Sequence, residues 1–468
     1  MWKYLTKIVA KLKTLRVNFY NIINIARPDE GYALIYVLFI NLLIISALLS
    51  FLCMMFFYNM QSIKILSKTR LDWACYSAAQ LAALDSTGIK NRSYTVGIDS
   101  LEVNVTENLF GLYIMVTTSA KYNNDSSMYQ CLFASAIIPP FANALTISHP
   151  NATVTIAGQT HITGNISLTS NNISKGNIFG IRNSSENYLD GDVLVNDSLK
   201  PNIFKDSLVE DIFNLNSQNI NQNTVSLGST TVDGHFLSHY PPGQNYIING
   251  DLIFNDSLIN NDYRYYYFFV SGKTLFQDNC YSTIKMFVRS GDDITLGKNS
   301  VVENSMLLTN RKIITDGTYV KYVQMYSKDS VSIMNSYFSY PSTIVSYAYP
   351  KDSINLHRLV SIKNSTINGT VMLLLPEVGI PGNKSKIYID DQSKIQGLVY
   401  SQNNIESFGN ITGSVYTYNY WFYKDPGEYV NWLVNTSINR VNLDKWFLIP
   451  CGFKGSKKYE ILDGNWIY

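Results

Sequence analysis

His235 and His239 stand four residues apart, the spacing that puts two imidazoles on one helix face and lets them share a metal ion. Their setting, DGHFLSHYPP, is turn-like, and no Glu follows in the manner of zinc peptidases, so the pair predicts no metal site. Ser290-Gly291-Asp292-Asp293 offers carboxylates of the kind that β-helix enzymes use on acidic polysaccharides. Glycoside cleavage needs an acid and a base on opposite sides of one bond. Adjacent residues on a strand point to opposite faces, which disqualifies Asp292-Asp293 and Asp390-Asp391 alike. The companion Asn-Thr-Asp, Gly-His-Gly and Arg-Ile-Lys elements are missing, as are a serine-hydrolase elbow, a phosphate loop and a dinucleotide fingerprint. The expectation is a protein that is not an enzyme, with no catalytic residues, metal or cofactor.

The remaining polar chemistry is structural. Cys53 lies in an apolar run, leaving Cys75, Cys131, Cys280 and Cys451, whose spacings match no metal site. In an oxidising compartment four thiols allow two bridges, with connectivity open. Asn-x-Ser/Thr triplets at Asn104, Asn151, Asn165, Asn196, Asn364 and Asn410 read as turn residues in a chain rich in Asn, Ser and Thr. A formal net charge of +2 supplies no field to gather nucleic acid.

What must position all of this is the stretch Gly31 to Tyr58, GYALIYVLFINLLIISALLSFLCMMFFY, which carries no charge. It exceeds the roughly 20 apolar residues that cross a bilayer core as a helix, the form that satisfies its own backbone in lipid. Ahead of it lie Lys3, Lys7, Lys11, Lys13, Arg16 and Arg27 against Asp29 and Glu30. That bias keeps the head cytoplasmic and sends the body across the membrane. Leu5, Ile8, Val9, Leu12, Leu15, Phe19 and Ile22 recur at helical spacing among the lysines, as in a helix lying on an anionic leaflet. Beyond Tyr58 the helix continues without proline to a stop at Gly88. Strands follow in YTVGIDSLEVNVT, LYIMVTTSAKY and MYQCLFASAII. Helix and third strand should pack in one module, which predicts a bridge between Cys75 and Cys131.

A phrase, aliphatic-x-Gly-x-aliphatic, then recurs around Gly164, Gly191, Gly250, Gly369, Gly397 and Gly413. Stacked coils put alternate side chains of each short strand inwards and turn their corners on Gly or Asn, so the phrase predicts a β-solenoid. Between about Asn196 and Pro242 the rhythm fails, and a short amphipathic helix with Leu208, Ile212 and Phe213 marks an excursion. Tyr263–Val270, YRYYYFFV, reads as a strand with one face in the core. The segment GEYVNWLVNTSINRVNLDKWFLIP is expected to form a helix capping the open end.

Arg27-Pro28-Asp29-Glu30-Gly31 followed by Tyr32-Ala33-Leu34-Ile35 resembles the prepilin signature, and Ile138-Pro139-Pro140-Phe141 leading into TVTIAGQTHITGNISLTSN resembles minor-pilin-like or pseudopilin-like surface proteins with a bactofilin-like, polymer-forming solenoid. The likeness covers residues 28–200 and 290–420. It implies a peptidase cut after Gly31, with Tyr32 as the new terminus and the helix free to join a filament of pilin-like subunits. Two departures, Tyr36 where the family carries Glu and a long leader, favour an uncut signal anchor.

The expected fold is mainly β: a basic cytoplasmic head over residues 1–30, a transmembrane helix over 31–58, a pilin-like helix and small antiparallel sheet over 59–146, a right-handed β-solenoid over 147–420 with an insertion about 196–242, and a C-terminal cap over 421–468. The expected role is a single-pass structural or assembly protein of the cell envelope, a minor pilus or secretion-filament component or an adhesin. Its partners would be the lipid bilayer, other pilin-like subunits or surface polysaccharide, and no nucleic acid. The alternative is a membrane-anchored carbohydrate-binding or carbohydrate-active β-helix protein. Gly31→Leu separates the two readings of the span. With an uncut anchor, wild type and variant run as identical full-length bands; with processing, only the variant keeps the leader.

Overall fold

The computed structural model describes residues 31–462 apart from 86–90, 98–99, 124, 183–186, 216–222, 261, 263, 349–356, 376, 379–381 and 457. The basic head and Gly88 lie outside these. One unbroken helix runs Gly31–Leu84, as its lack of proline and its leucine-rich composition require. From Tyr36 to Leu66 its large apolar side chains are exposed, Leu43 at 54% and Phe56 at 61%. With a mean hydropathy of 2.6 in its most apolar window, this helix is long and apolar enough to cross a membrane.

The chain forms two compact units. In the first, which holds the helix up to Ala74 together with Lys121–Ser127, Ser67 Oγ donates to Asp125 at 2.9 Å and Ser127 Oγ donates to Asp72. In the second, the last helical turns bury Cys75, Ala78, Ala79, Ala82 and Ala83, a face of small residues. Thr118 Oγ1 donates to the Cys75 carbonyl at 3.1 Å, and Tyr76 meets Tyr129 edge-on at 5.7 Å. The strands expected after the helix are present as Arg92–Val96, Leu101–Phe110, Tyr113–Tyr122 and Asp125–Ser135, paired antiparallel in that sheet order. Tyr459–Ile461, from the far end of the chain, adds itself antiparallel to the last of them.

The rest is a parallel β-solenoid with three strand-lined faces. The inward row of one face runs Phe268, Val288, Leu307, Met325, Ile344, Val371, Val399 and Val415, all with 0–1% exposure. Each such side chain contributes roughly 1.5–3 kcal/mol by leaving water. The rungs are not stacked in chain order. From Thr224–Leu227 they climb through Asn245–Ile248 and onward to Asn410–Lys424. The next rung in space is Leu145–Ile147, then Ile166–Leu168 and Val193–Val195. The coils that come first in sequence therefore close the end that comes last.

This arrangement corrects the expected cap. Gly427–Val430, Trp432–Val434 and Ser437–Asn439 are strands, the latter two paired parallel with Thr153–Ala157 and His161–Thr163. Parallel pairing on offer from the early coils outweighs a helical pattern, because tertiary context overrides propensity. The aromatic part of that segment, Tyr265–Val270, is likewise more buried than one core face requires. In the strand Tyr266–Val270, Tyr266 and Phe268 point into the solenoid while Tyr267 and Phe269 pack on a second cluster outside it.

Corners explain the glycine phrase. Gly369, Gly397 and Gly413 lie in register on successive rungs with φ of +156°, +143° and +148°. A Cβ on Gly397 would lie 2.0 Å from the Gly369 carbonyl oxygen. Gly164 and Gly191 turn the same corner in the early coils, whereas Gly250 turns a different one, between Asn245–Ile248 and Leu252–Phe254. A further corner is left-handed at Asp256, Asn279, Asn299, Gly317, Asn335 and Asn364. Asparagine tolerates that conformation and bonds its neighbour, as Asn364 Nδ2 does to Asn335 Oδ1 at 2.8 Å.

The excursion is a strap that returns the chain from one end of the solenoid to the other. Tyr416 Oη donates to the Lys200 carbonyl at 2.5 Å, Tyr400 Oη to the Pro201 carbonyl at 3.1 Å, and Tyr347 Oη to Glu210 Oε1 at 2.6 Å. Its helix, Ser207–Asn214, buries Val209, Ile212 and Phe213, and Arg289 ends the run by donating to the Leu215 carbonyl. The same outer face seats the small sheet: Leu112 N donates to Gln324 Oε1 at 2.9 Å and to Tyr326 Oη at 3.0 Å.

Two consequences are measurable. Gly397→Ala should lower unfolding stability by more than about 2 kcal/mol through strain and clash. Gly228→Ala, where a Cβ meets nothing within 4 Å, should stay within about 0.5 kcal/mol. Burial also pushes the Tyr326, Tyr400 and Tyr416 phenols above their ordinary value of 10.0. Folded phenols then hold protons that unfolded ones release, so stability is fully present below pH 10 and falls as pH rises beyond it. Melting followed by circular dichroism should be flat towards pH 9–10 and drop above, with a shallower drop in Tyr400→Phe.

Candidate functional site

The residues with chemical potential in sequence are used as scaffolding. Gly31 opens the described helix, while the side chains of Gly31 and Tyr32 lie outside the described residues. Cys75 and Cys131 are both buried in the helix–sheet module, and among the described residues no disulfide joins them. The helix is instead tied to the sheet through the Thr118 hydroxyl. Burial pushes the Cys131 and Cys451 thiols up to about 12, which keeps them protonated and unreactive.

His235 and His239 sit on a short helix, Gly234–His239, rather than a turn, with ring centroids 4.1 Å apart. Asp233 caps that helix by accepting from Phe236 N at 2.8 Å. His239 Nδ1 lies 2.9 Å from both the His235 carbonyl oxygen and the Ser238 hydroxyl, so the ring is engaged with its own helix. Asp292 faces Arg311 at 3.8 Å, and Asp293 accepts from Lys312 N at 3.1 Å. Asp390 accepts from Asn364 N at 3.0 Å and from the Ser393 hydroxyl at 2.5 Å. These carboxylates bond the backbone and side chains of neighbouring rungs. Lys285 is depressed to about 8, chiefly by burial, but it lies at the junction of sheet and solenoid beside Gln130 and over Tyr265.

Among the described residues, two surfaces stand apart from this scaffolding. The first is the exposed apolar length of the long helix. The second is a cleft of about 470 Å³ on the solenoid flank, lined by Ser339, Tyr340, Asn368, Gln396, Asp444, Trp446 and Phe447. Asn368 and Gln396 are register partners, one per rung, and each is the residue just before a corner glycine. The opposite wall comes from the segment after the last rung. Phe447 rests on the glycine corner, where a Cβ on Gly397 would meet its ring at 2.7 Å. Tyr340 holds both aromatic neighbours, Trp446 at 5.0 Å and 72° and Phe447 at 5.2 Å. Its hydroxyl is engaged by the backbone of Leu448, whose N–H donates to it at 3.0 Å. Gln396 Nε2 donates to Asp444 Oδ2 at 2.7 Å and bridges the two walls.

Sequence reasoning missed Asp444, Trp446 and Phe447 by assigning them to a capping helix. The available signal was a second aromatic pair placed after the final glycine phrase, with a polar residue ahead of each stacked glycine.

No protein-family model and no curated protein matches the chain. Among solved structures the chain is similar to the competence-associated pilin ComZ from Thermus thermophilus, at 8% identity and a TM-score of 0.21, over 85% of this chain and 96% of that one. A score of that size carries no argument about this chain's fold or role.

Proposed function

We propose that the chain is a membrane-anchored, non-catalytic structural or assembly protein of the cell envelope, which holds a β-solenoid outside the cytoplasm. The observation that carries this reading is the helix from Leu34 to Tyr58, free of charge and with nearly all of its large apolar side chains exposed. Water-exposed apolar surface is unfavourable by about 25 cal/mol per Å². A surface this long calls for a cover, and a bilayer matches it in length and chemistry. Helices of pilin-like subunits would cover the same surface in a filament. The lysines and arginines ahead of Gly31 support a cytoplasmic N-terminus. The commitment of Asp292, Asp293 and Asp390 to bonds between rungs supports a body that works by shape rather than by catalysis.

In cells producing the full chain, the protein should sediment with membranes, resist alkaline carbonate and be released by detergent. A reporter that works only outside the cytoplasm, fused after Tyr58, should be active. A soluble protein, or a reporter active only inside, contradicts the reading.

A further inference from the structure

We propose that the flank cleft binds a neutral oligosaccharide, with Trp446 and Tyr340 as its apolar platform and Asn368, Gln396 and Asp444 as its hydroxyl-recognising groups. The inference is independent of whether the helix lies in a bilayer. Its first support is the combination of side chains. Sugars present an apolar ring face bordered by hydroxyls that both donate and accept. A matching site pairs flat aromatic surface with amides and a carboxylate, as small-molecule sites generally pair apolar walls with a few placed polar groups.

Rigidity is the second support. Trp446 is 54% exposed, unusual for the largest apolar side chain, yet its ring is held edge-on by Tyr340. Gln396 and Asp444 orient each other through their 2.7 Å bond, leaving each a further acceptor oxygen for a ligand hydroxyl. Binding would therefore order few side chains, which keeps its entropic cost low.

Periodicity is the third. Asn368 and Gln396 follow one another at the rung spacing of about 4.8 Å, close to the repeat of one sugar residue along an extended oligosaccharide. The polar row continues in register to Thr412 and Asn439. On the other side Asn368 Nδ2 donates to Tyr337 Oη at 3.1 Å, and Tyr337 stacks on Tyr319 at 5.4 Å and 10°. A chain of several sugar units can thus run along the flank through the cleft. Charge selects the class: the lining holds one carboxylate and no basic side chain, which disfavours a polyanion.

The test is calorimetric titration of the purified full chain in detergent with cellopentaose, maltopentaose and chitopentaose, and with polygalacturonate as the charged comparison. At least one neutral oligomer should bind. Trp446→Ala and Gln396→Ala should each weaken it about tenfold or more. Tyr122→Ala, at an exposed aromatic residue of the small sheet rather than of the solenoid flank, should leave the affinity unchanged. If Trp446→Ala does not fold, Gln396→Ala alone decides. Failure of every neutral oligomer to bind at millimolar concentration, binding that survives both cleft substitutions, or a preference for polygalacturonate overturns the proposal.

Discussion

A solenoid rung buries its inward side chains only against the rungs above and below it, and its backbone finds partners only there. Everything else in this body follows from that constraint. The rung at Val415, Ile411 and Tyr420 would expose its edge if the chain simply stopped. The coils at Leu145–Leu168 supply the missing neighbour, pairing Val415 with Leu145 and Ile438 with Ile162. Because those coils come early in the chain, the polypeptide must afterwards travel back to begin the stack at Thr224. The strap is the physical consequence. Its route along a solenoid face explains why that face carries phenols: each of Tyr416, Tyr400 and Tyr347 brings apolar area to the rung and a donor to the strap.

The same logic links corner to cleft. Gly369, Gly397 and Gly413 let successive rungs turn within van der Waals reach of each other's backbone. The absence of side chains there leaves a shelf, and Phe447 occupies it. Once Phe447 is seated, Asp444 reaches Gln396 and Trp446 stands beside Tyr340. The cleft is thus a by-product of how the solenoid turns and how the chain after Asn439 crosses back over it. That segment then runs on to Tyr459–Ile461 and completes the small sheet, so the end of the chain ties both parts of the second unit together.

Much of this was legible in sequence because it rests on local periodicity. The charge-free run from Gly31, the helix beyond it, the strands of the small sheet and the glycine phrase all carry their signal within a few residues. The strap helix was visible in the spacing of Leu208, Ile212 and Phe213. What could not be read is the order of stacking. The inward residues of Leu145–Ile147 and of Thr224–Leu227, namely Leu145, Ile147, Val225 and Leu227, are equally aliphatic, so nothing local distinguishes an early coil that begins the stack from one that ends it. The same blindness turned Gly427–Asn439 into an expected helix, since its partners lie far upstream at Thr155 and His161. The cleft was hidden for a related reason: Asn368 and Gln396 look like any polar residue before a glycine until Asp444, Trp446 and Phe447 are brought opposite them.

The non-sequential stack is the claim on which strap, tyrosine face and cleft all depend, and cross-linking tests it directly. Thr163 and Asn439 are register partners on adjacent parallel strands and flank inward Ile162 and Ile438, so cysteines placed there fall within the Cα separation a disulfide accepts. The double variant Thr163→Cys/Asn439→Cys, oxidised under native conditions, should form an intramolecular bridge that peptide mapping locates between those two positions. A chain whose coils stack in sequence order would leave that pair unlinked and would instead bridge Leu194→Cys to Ser226→Cys.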